Sequence, residues 1–425
     1  MSMRHRVLRT AADSNTVQEV SVIAYSETGS VTLDSPHAPT TDQLNDRRSR
    51  SFGTRAAHPP EDPTAHSGAV VMPLYLTSTF KRSVRLTERW DYSRVGNPTR
   101  SALEECLADL ENGARAIATS SGMGAISLVA FALCRAGSHV ILSDNVYGGT
   151  WDLYADLLGG WNVEVTTVDM TDLAAVAAAF RADTVMVYTE TPSNPLQKIS
   201  DIESIAALAH SRGAALAVDS TFASPALQRP LELGADIVVQ STTKYLGGHS
   251  DVIGGAVVCR TAELGALMHE TARMIGSIES PFDAWLVLRG IKTLDVRMER
   301  ISATAMAVAE YLEDHPRVRR VHYPGLATHP GHDVAAAQMS AFGGIVSVEL
   351  DCDADAAALT CDRFGLFTVA VSLGGTESLV EHPHYMTHCT TGTTPVRVPD
   401  SLLRLSIGLE NARDLIDDLS VALRA

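Results

Sequence analysis

Between about residues 100 and 260, short apolar segments alternate with helix-like ones, and few folds accept that pattern. The segments ARAIATS, HVILSD, NVEVTTVD, TVMVYTE, AALAVDS, ADIVVQ and GGAVVCR each span one strand length. Most are rich in Val, Ile and Ala at successive positions, so both faces of each strand are apolar. Stretches such as TRSALEECLADLEN, GMGAISLVAFALCRAG and IESIAALAHSRG stand between them. Strands apolar on both faces and separated by helices read as a mostly parallel sheet covered on both sides. The fold class expected is therefore α/β, with this large domain spanning residues 101–280.

The flanking regions read differently. Residues 1–50 show no sustained periodicity beyond one short strand-like piece, VQEVSVIAY, and are expected to be a poorly ordered extension. Residues 51–100 are irregular and rich in Pro and Thr, an arm rather than a domain. From 281 to 425 a long helical stretch, WLVLRGIKTLDVRMERISATAMAVAEYLEDH, precedes the strand-like RVRRVHYP, GGIVSVEL, LFTVAVS and LLRLSIG. These predict a smaller C-terminal α/β domain.

Charge narrows the partners. The 425 residues carry a formal charge of −16, which argues against nucleic acid or an anionic membrane surface. No apolar run of about 18 residues is present to span a bilayer. The six cysteines form no CxxC pair or zinc-type spacing, so no metal is expected and a reducing, cytoplasmic compartment is. A small anionic ligand remains compatible, since it needs only a local positive site.

The strand ends carry the chemistry. In a parallel sheet the C-terminal strand ends line one crevice. ARAIATS runs into Ser120, Ser121, Gly122 and Met123 at a helix start; HVILSD leads to Tyr147 beside two glycines; AALAVDS ends at Asp219; ADIVVQ ends at Ser241, Thr243 and Lys244. Taken singly, each has a plain reading as an N-cap, a turn residue or a loop side chain. Together they supply what pyridoxal phosphate requires. Its aldehyde needs a lysine amine for a Schiff base, and its ring nitrogen needs a carboxylate. Its ring needs a flat partner, and its phosphate needs backbone N–H groups at a helix N-terminus with nearby hydroxyls. Lys244 is one of only four lysines, with Lys81, Lys198 and Lys292. No GxxxxGK[ST] phosphate loop and no dinucleotide-type GxGxxG follows a strand.

These residues, with FGTRAAH, YSRVGNPTR, YGGT, ETPSNP, VDSTF, STTKYLGGHSD, SPFDAWLVLRGIKTL, SLGGTESL and LLRLSIGLE, resemble the Cys/Met-metabolism family of pyridoxal-phosphate enzymes from about residue 52 to 425. The family has fold type I and includes cystathionine γ-lyases, cystathionine γ-synthases and methionine γ-lyases. The resemblance implies Lys244 as the cofactor-bearing and proton-carrying lysine, Asp219 as the ring-nitrogen partner and Tyr147 as the stacking ring beside the substrate. It places Gly122, Met123, Ser241 and Thr243 at the phosphate and Asn194 near the cofactor's phenolic oxygen. Tyr92 and Arg94 match a pair lent by a neighbouring subunit, Arg94 to the phosphate and Tyr92 to the reacting centre. That makes the arm an intersubunit element of a homotetramer built from catalytic dimers. Arg404 matches the arginine for the substrate carboxylate, with Ser372, Glu377 and Ser378 around it. Three departures stand out: Ser220 where Asn is usual, Thr376 where an apolar residue is common, and Tyr75 where a shorter one is.

Within the family, GHSD at 248–251 resembles the γ-lyases and γ-synthases, and ETPSNPLQKISDI resembles bacterial lyases. Gly149 stands where methionine γ-lyases often have Cys. The activity expected is γ-elimination on cystathionine, giving cysteine, 2-oxobutanoate and ammonia. The alternatives are γ-replacement on an O-acylhomoserine, methionine γ-elimination, or a specialised biosynthetic relative.

Overall fold

The protein's structure, a computed structural model, describes residues 47–60, 66–84, 89–387 and 398–424. The expected extension lies almost entirely outside the described residues, as do the strand proposed at VQEVSVIAY and Cys389.

Seven strands form the larger sheet: β1 (Arg115–Thr119), β2 (His139–Ser143), β3 (Glu164–Val168), β4 (Thr184–Glu190), β5 (Ala215–Asp219), β6 (Ile237–Gln240) and β7 (Gly255–Cys259). Their order is β1-β7-β6-β5-β4-β2-β3. All neighbours are parallel except β7, which runs antiparallel between β1 and β6. Because β7 reverses direction twice over, β1 points the same way as β6. The C-terminal ends of β1, β2, β4, β5 and β6 therefore share one edge. Strands β2, β6 and β7 are buried along their whole length, in line with their lack of polar alternation.

The smaller sheet contains β8 (Val318–His322), β9 (Ile345–Leu350), β10 (Thr368–Val369), β11 (Leu379–Glu381) and β12 (Leu402–Ser406), in the order β10-β11-β12-β9-β8. β11 was not foreseen: three residues between two loops are too few for a periodic signal. Of LFTVAVS only Thr368 and Val369 pair as strand.

The helices of ten residues or more are α1 (Pro98–Leu110), α2 (Gly122–Leu133), α3 (Ile202–Ser211), α4 (Ala262–Ile275), α5 (Pro281–Ile291), α6 (Leu294–Glu313) and α7 (Ala412–Ala422). Local chemistry fixes their starts: the side chains of Asn97, Ser121, Asp201, Thr261, Ser280 and Asn411 each accept a backbone N–H of the first turn. The single long helix expected from 285 to 315 is instead two, α5 and α6, broken at Lys292 and Thr293. Tertiary contacts explain the break. Gly290 packs its bare Cα against the carbonyl of Gly247, in the loop that carries Lys244. Buried Arg297 then donates to the Gly290 carbonyl at 2.8 Å and to that of Tyr245 at 2.7 Å. Among the described residues no helix is long and apolar enough to cross a membrane, and no group of three or more His, Cys, Asp or Glu could hold a metal ion.

Candidate active site

The site is assembled from the common strand edge. α2 begins directly after β1, and the Ser121 hydroxyl accepts the Gly124 N–H at 3.0 Å. The first N–H groups of a helix have no intrahelical partner, so Gly122 and Met123 present theirs at this start. Gly122 leaves space that only a missing side chain leaves: a Cβ there would stand 2.9 Å from both the Cβ and the Oγ of Ser241. Helix start and Ser241 hydroxyl thus face one another as two halves of an anion cradle. The Thr243 hydroxyl is engaged otherwise, with the Gly254 backbone: its Oγ1 lies 3.0 Å from the Gly254 nitrogen, which donates to it, and 3.1 Å from the Gly254 carbonyl.

Asp219 closes β5 and is buried. Its Oδ1 accepts the Thr221 N–H at 3.0 Å and the Thr221 hydroxyl at 2.5 Å, and Tyr188 stands 3.5 Å from Oδ2. Burial pushes its carboxyl upward and the Thr221 donors oppose this. Thr221 also accepts the Ser241 N–H at 2.9 Å, tying Asp219 to the cradle. Ser220, at the departure from the family pattern, turns away from Asp219 and accepts the amide of Gln228 at 3.1 Å.

Tyr147, 47% exposed, presents its ring beside Gly149. A Cβ on Gly149 would meet the tyrosine ring at 2.6 Å and the Met123 sulfur at 2.8 Å, so glycine is what lets the ring lie there. The Tyr147 N–H donates to Glu190 Oε2 at 2.8 Å.

Lys244 is partly buried and its Nζ donates to the Ser372 hydroxyl at 2.7 Å. Burial first, then the Arg404 charge, pulls the amine down to about 8, with Glu381 opposing. Ser372 has a left-handed backbone, φ 88°, uncommon for a residue with a side chain. It joins two site residues: its hydroxyl meets Lys244, and its carbonyl accepts Arg404 at 2.8 Å. Arg404, on β12, also donates to Asn194 Oδ1 at 2.9 Å and to Glu381 at 2.5 Å. Glu381 is its cross-strand partner on β11, and both side chains are almost fully buried. The Arg404 Nε has no hydrogen-bond partner, which leaves one buried donor free for a ligand.

The structure thus brings Lys244, Asp219, Tyr147, Gly122, Met123, Ser241, Asn194, Ser372 and Arg404 to one edge. Others of the expected set stand apart. Ser378 is fully buried, its hydroxyl bonded to Glu410 at 2.8 Å and to the Gly408 N–H at 2.9 Å, so it supports the loop instead of facing a ligand. Glu377 is exposed at the surface. Arg94 donates to the Arg273 carbonyl at 2.8 Å and lies over the Tyr92 ring at 5.6 Å; neither side chain is bonded to the Lys244 cluster within this chain. Tyr75 is held by the arm, its hydroxyl 3.1 Å from His66 Nδ1. Sequence reasoning missed Thr221 and Glu381. Thr221 lay inside the quoted VDSTF, two residues after Asp219, the spacing of an Asx turn. Glu381 gave no local signal, since only cross-strand pairing brings it to Arg404.

The residues present fit pyridoxal phosphate: a cradle that a Cβ would fill, a buried carboxylate, an exposed ring, a depressed lysine and an arginine with a spare buried donor.

The comparisons with known proteins agree. A match to the family described as Cys/Met metabolism PLP-dependent enzyme spans residues 53–424. The chain is 50% identical to the cystathionine gamma-synthase of Mycobacterium tuberculosis strain H37Rv, covering 87% of this chain and 96% of that protein. It is 46% identical to the cystathionine beta-lyase of Lactococcus lactis subsp. cremoris, covering 88% and 99%. The crystal structure of cystathionine gamma-lyase from Lactobacillus plantarum, complexed with L-serine, is similar with a TM-score of 0.85 and 41% identity, over 88% of this chain and 98% of that one. Site geometry, family match and relatives converge: this chain belongs to the Cys/Met-metabolism family of pyridoxal-phosphate-dependent enzymes.

Proposed function

We propose that the protein works at the γ-carbon of a homoserine-derived amino acid, with cystathionine as product of a γ-replacement: an O-acylhomoserine loses its acyl carboxylate and gains the sulfur of cysteine. The observation that carries this reading is the 50% identity to a protein named cystathionine gamma-synthase over nearly all of both chains. γ-Elimination of cystathionine, expected from the likeness of ETPSNPLQKISDI to bacterial lyases, is the second reading, favoured by the gamma-lyase structure at 41% identity.

Both readings use the residues in the same way. Pyridoxal phosphate, when bound, supplies an electron sink that acidifies the C–H bonds near the substrate amine. Asp219 holds the proton on the ring nitrogen. Tyr147 supports the ring face, and the α2 start with Ser241 binds the phosphate. Lys244, with its acidity raised by burial, exchanges between amine and ammonium near neutral pH and moves protons at the substrate carbons. Arg404, with a buried Nε–H that no protein group accepts, binds the α-carboxylate. Tyr92 and Arg94 complete the site from a second copy of the chain, in a homotetramer in the cytoplasm.

The test is a substrate panel on the purified protein. Cystathionine formed from O-succinylhomoserine and cysteine, without 2-oxo acid from cystathionine alone, supports replacement. Rapid 2-oxobutanoate release from cystathionine without added thiol moves the assignment to elimination.

A further inference from the structure

Glu190 ends β4 inside ETPSNP and has no part in the chemistry described above. It sits at the centre of the site. Its Oε2 accepts the N–H of Tyr147 at 2.8 Å, in the loop after β2. Its Oε1 accepts the N–H of Asn194 at 2.8 Å, in the loop after β4 itself. On the other side, Glu190 is the register partner of Asp219 on β5. The carboxyl is buried and both oxygens are occupied. It therefore joins the ring-bearing loop to the loop whose Asn194 side chain accepts Arg404 at 2.9 Å.

We propose that Glu190 is a positioning residue: one carboxyl fixes the separation between the Tyr147 ring and the Asn194–Arg404 pair, and so sets the tilt of the cofactor ring relative to the substrate carboxylate.

The alternative is that Glu190 only satisfies two buried N–H groups while other bonds join the loops. Such bonds exist. Ser193 and Asn145 are hydrogen-bonded side chain to side chain, and Lys198 bridges Asp144 at 3.0 Å and Asp169 at 2.8 Å. These ties, however, reach neither the Tyr147 nor the Asn194 amide. A carboxyl offers acceptor lone pairs on both oxygens, whereas an amide turns one of those positions into a donor. Glu190→Gln therefore keeps the size but sets an NH2 against one of the two backbone donors. Burial and the adjacent Asp219 both push the Glu190 carboxyl upward, while the two N–H groups oppose this.

The proposal rests on the cofactor ring lying on Tyr147. The experiment is titration of the apo-protein with pyridoxal phosphate, read as dissociation constant and as induced circular dichroism of the bound ring, for wild type, Glu190→Gln, Tyr147→Ala, their double variant and Ser193→Ala. Glu190→Gln is expected to weaken cofactor binding by about 10- to 100-fold, the effect of losing one buried acceptor. It should also alter the dichroism, and the effect should shrink in the Tyr147→Ala background. Unchanged affinity and dichroism in Glu190→Gln, or an equal change in Ser193→Ala, overturns the clamp. An unaffected Tyr147→Ala overturns the ring seat itself, a separate failure. Hydrogen exchange of the wild-type apo-protein covers the case in which Glu190→Gln does not fold. Protected Tyr147 and Asn194 amides support the clamp, and exchange at the rate of exposed loop amides overturns it.

Discussion

Replacing Lys244 by Met should stabilise the apo-protein at neutral pH. The amine is held at about 8 against an ordinary 10.5, chiefly by burial and by the Arg404 charge. Below pH 8 the amine is protonated both folded and unfolded, and folding must bury the charge. The difference from an ordinary lysine corresponds to about 3 kcal/mol. As pH rises through 8 the folded amine gives up its proton while the unfolded one keeps it up to about 10.5, so this penalty fades with rising pH. Methionine has similar length and carries no charge. Urea unfolding at fixed protein concentration should therefore show Lys244→Met more stable than wild type by about 3 kcal/mol near pH 7, and by less than about 1 kcal/mol near pH 10. A variant no more stable than wild type near pH 7, or a difference that does not change with pH, refutes the account of a desolvated catalytic amine.

Three further outcomes are expected. Glu381→Ala leaves the buried Arg404 charge without its cross-strand partner and should cost about 3–5 kcal/mol, read from denaturant midpoints; a loss under about 1 kcal/mol contradicts the pairing. Arg404→Lys keeps the charge but loses the fork that meets Asn194, Ser372 and Glu381 together, and should raise KM for the amino-acid substrate at least about tenfold while moving kcat less. Gly149→Ala places a Cβ 2.6 Å from the Tyr147 ring, so cofactor titration should show weakened binding with the melting midpoint little changed.

The strands of the larger sheet were legible because each is a short apolar run between turn signals, and the structure contains all seven. The meeting place of Lys244, Asp219 and Tyr147 was legible for the same reason: Asp219 ends a strand and the other two follow one within four residues, so chain order alone indicates the shared edge. What escaped depended on contacts distant in sequence. α5 and α6 carry one continuous helical pattern, and the contacts that Gly290 and Arg297 make with the loop of Lys244, found where it breaks, join residues distant in sequence. The pairing of Glu381 with Arg404 comes from the β11–β12 register, which three residues of strand cannot announce. The family resemblance put Ser378 in the loop around the substrate carboxylate, yet its hydroxyl bonds Glu410, thirty-two residues further along the chain. Tyr92 and Arg94 could not be joined to the site from one chain, and their proposed role belongs to the assembled protein.

The central claim is that Lys244 carries the cofactor. With four lysines in the chain, borohydride reduction of the pyridoxal-phosphate-loaded protein followed by peptide mass mapping gives a direct answer. The account predicts the reduced pyridoxyl phosphate mass on the peptide containing Lys244. The same mass on Lys81, Lys198 or Lys292, or on none of the four, would contradict it.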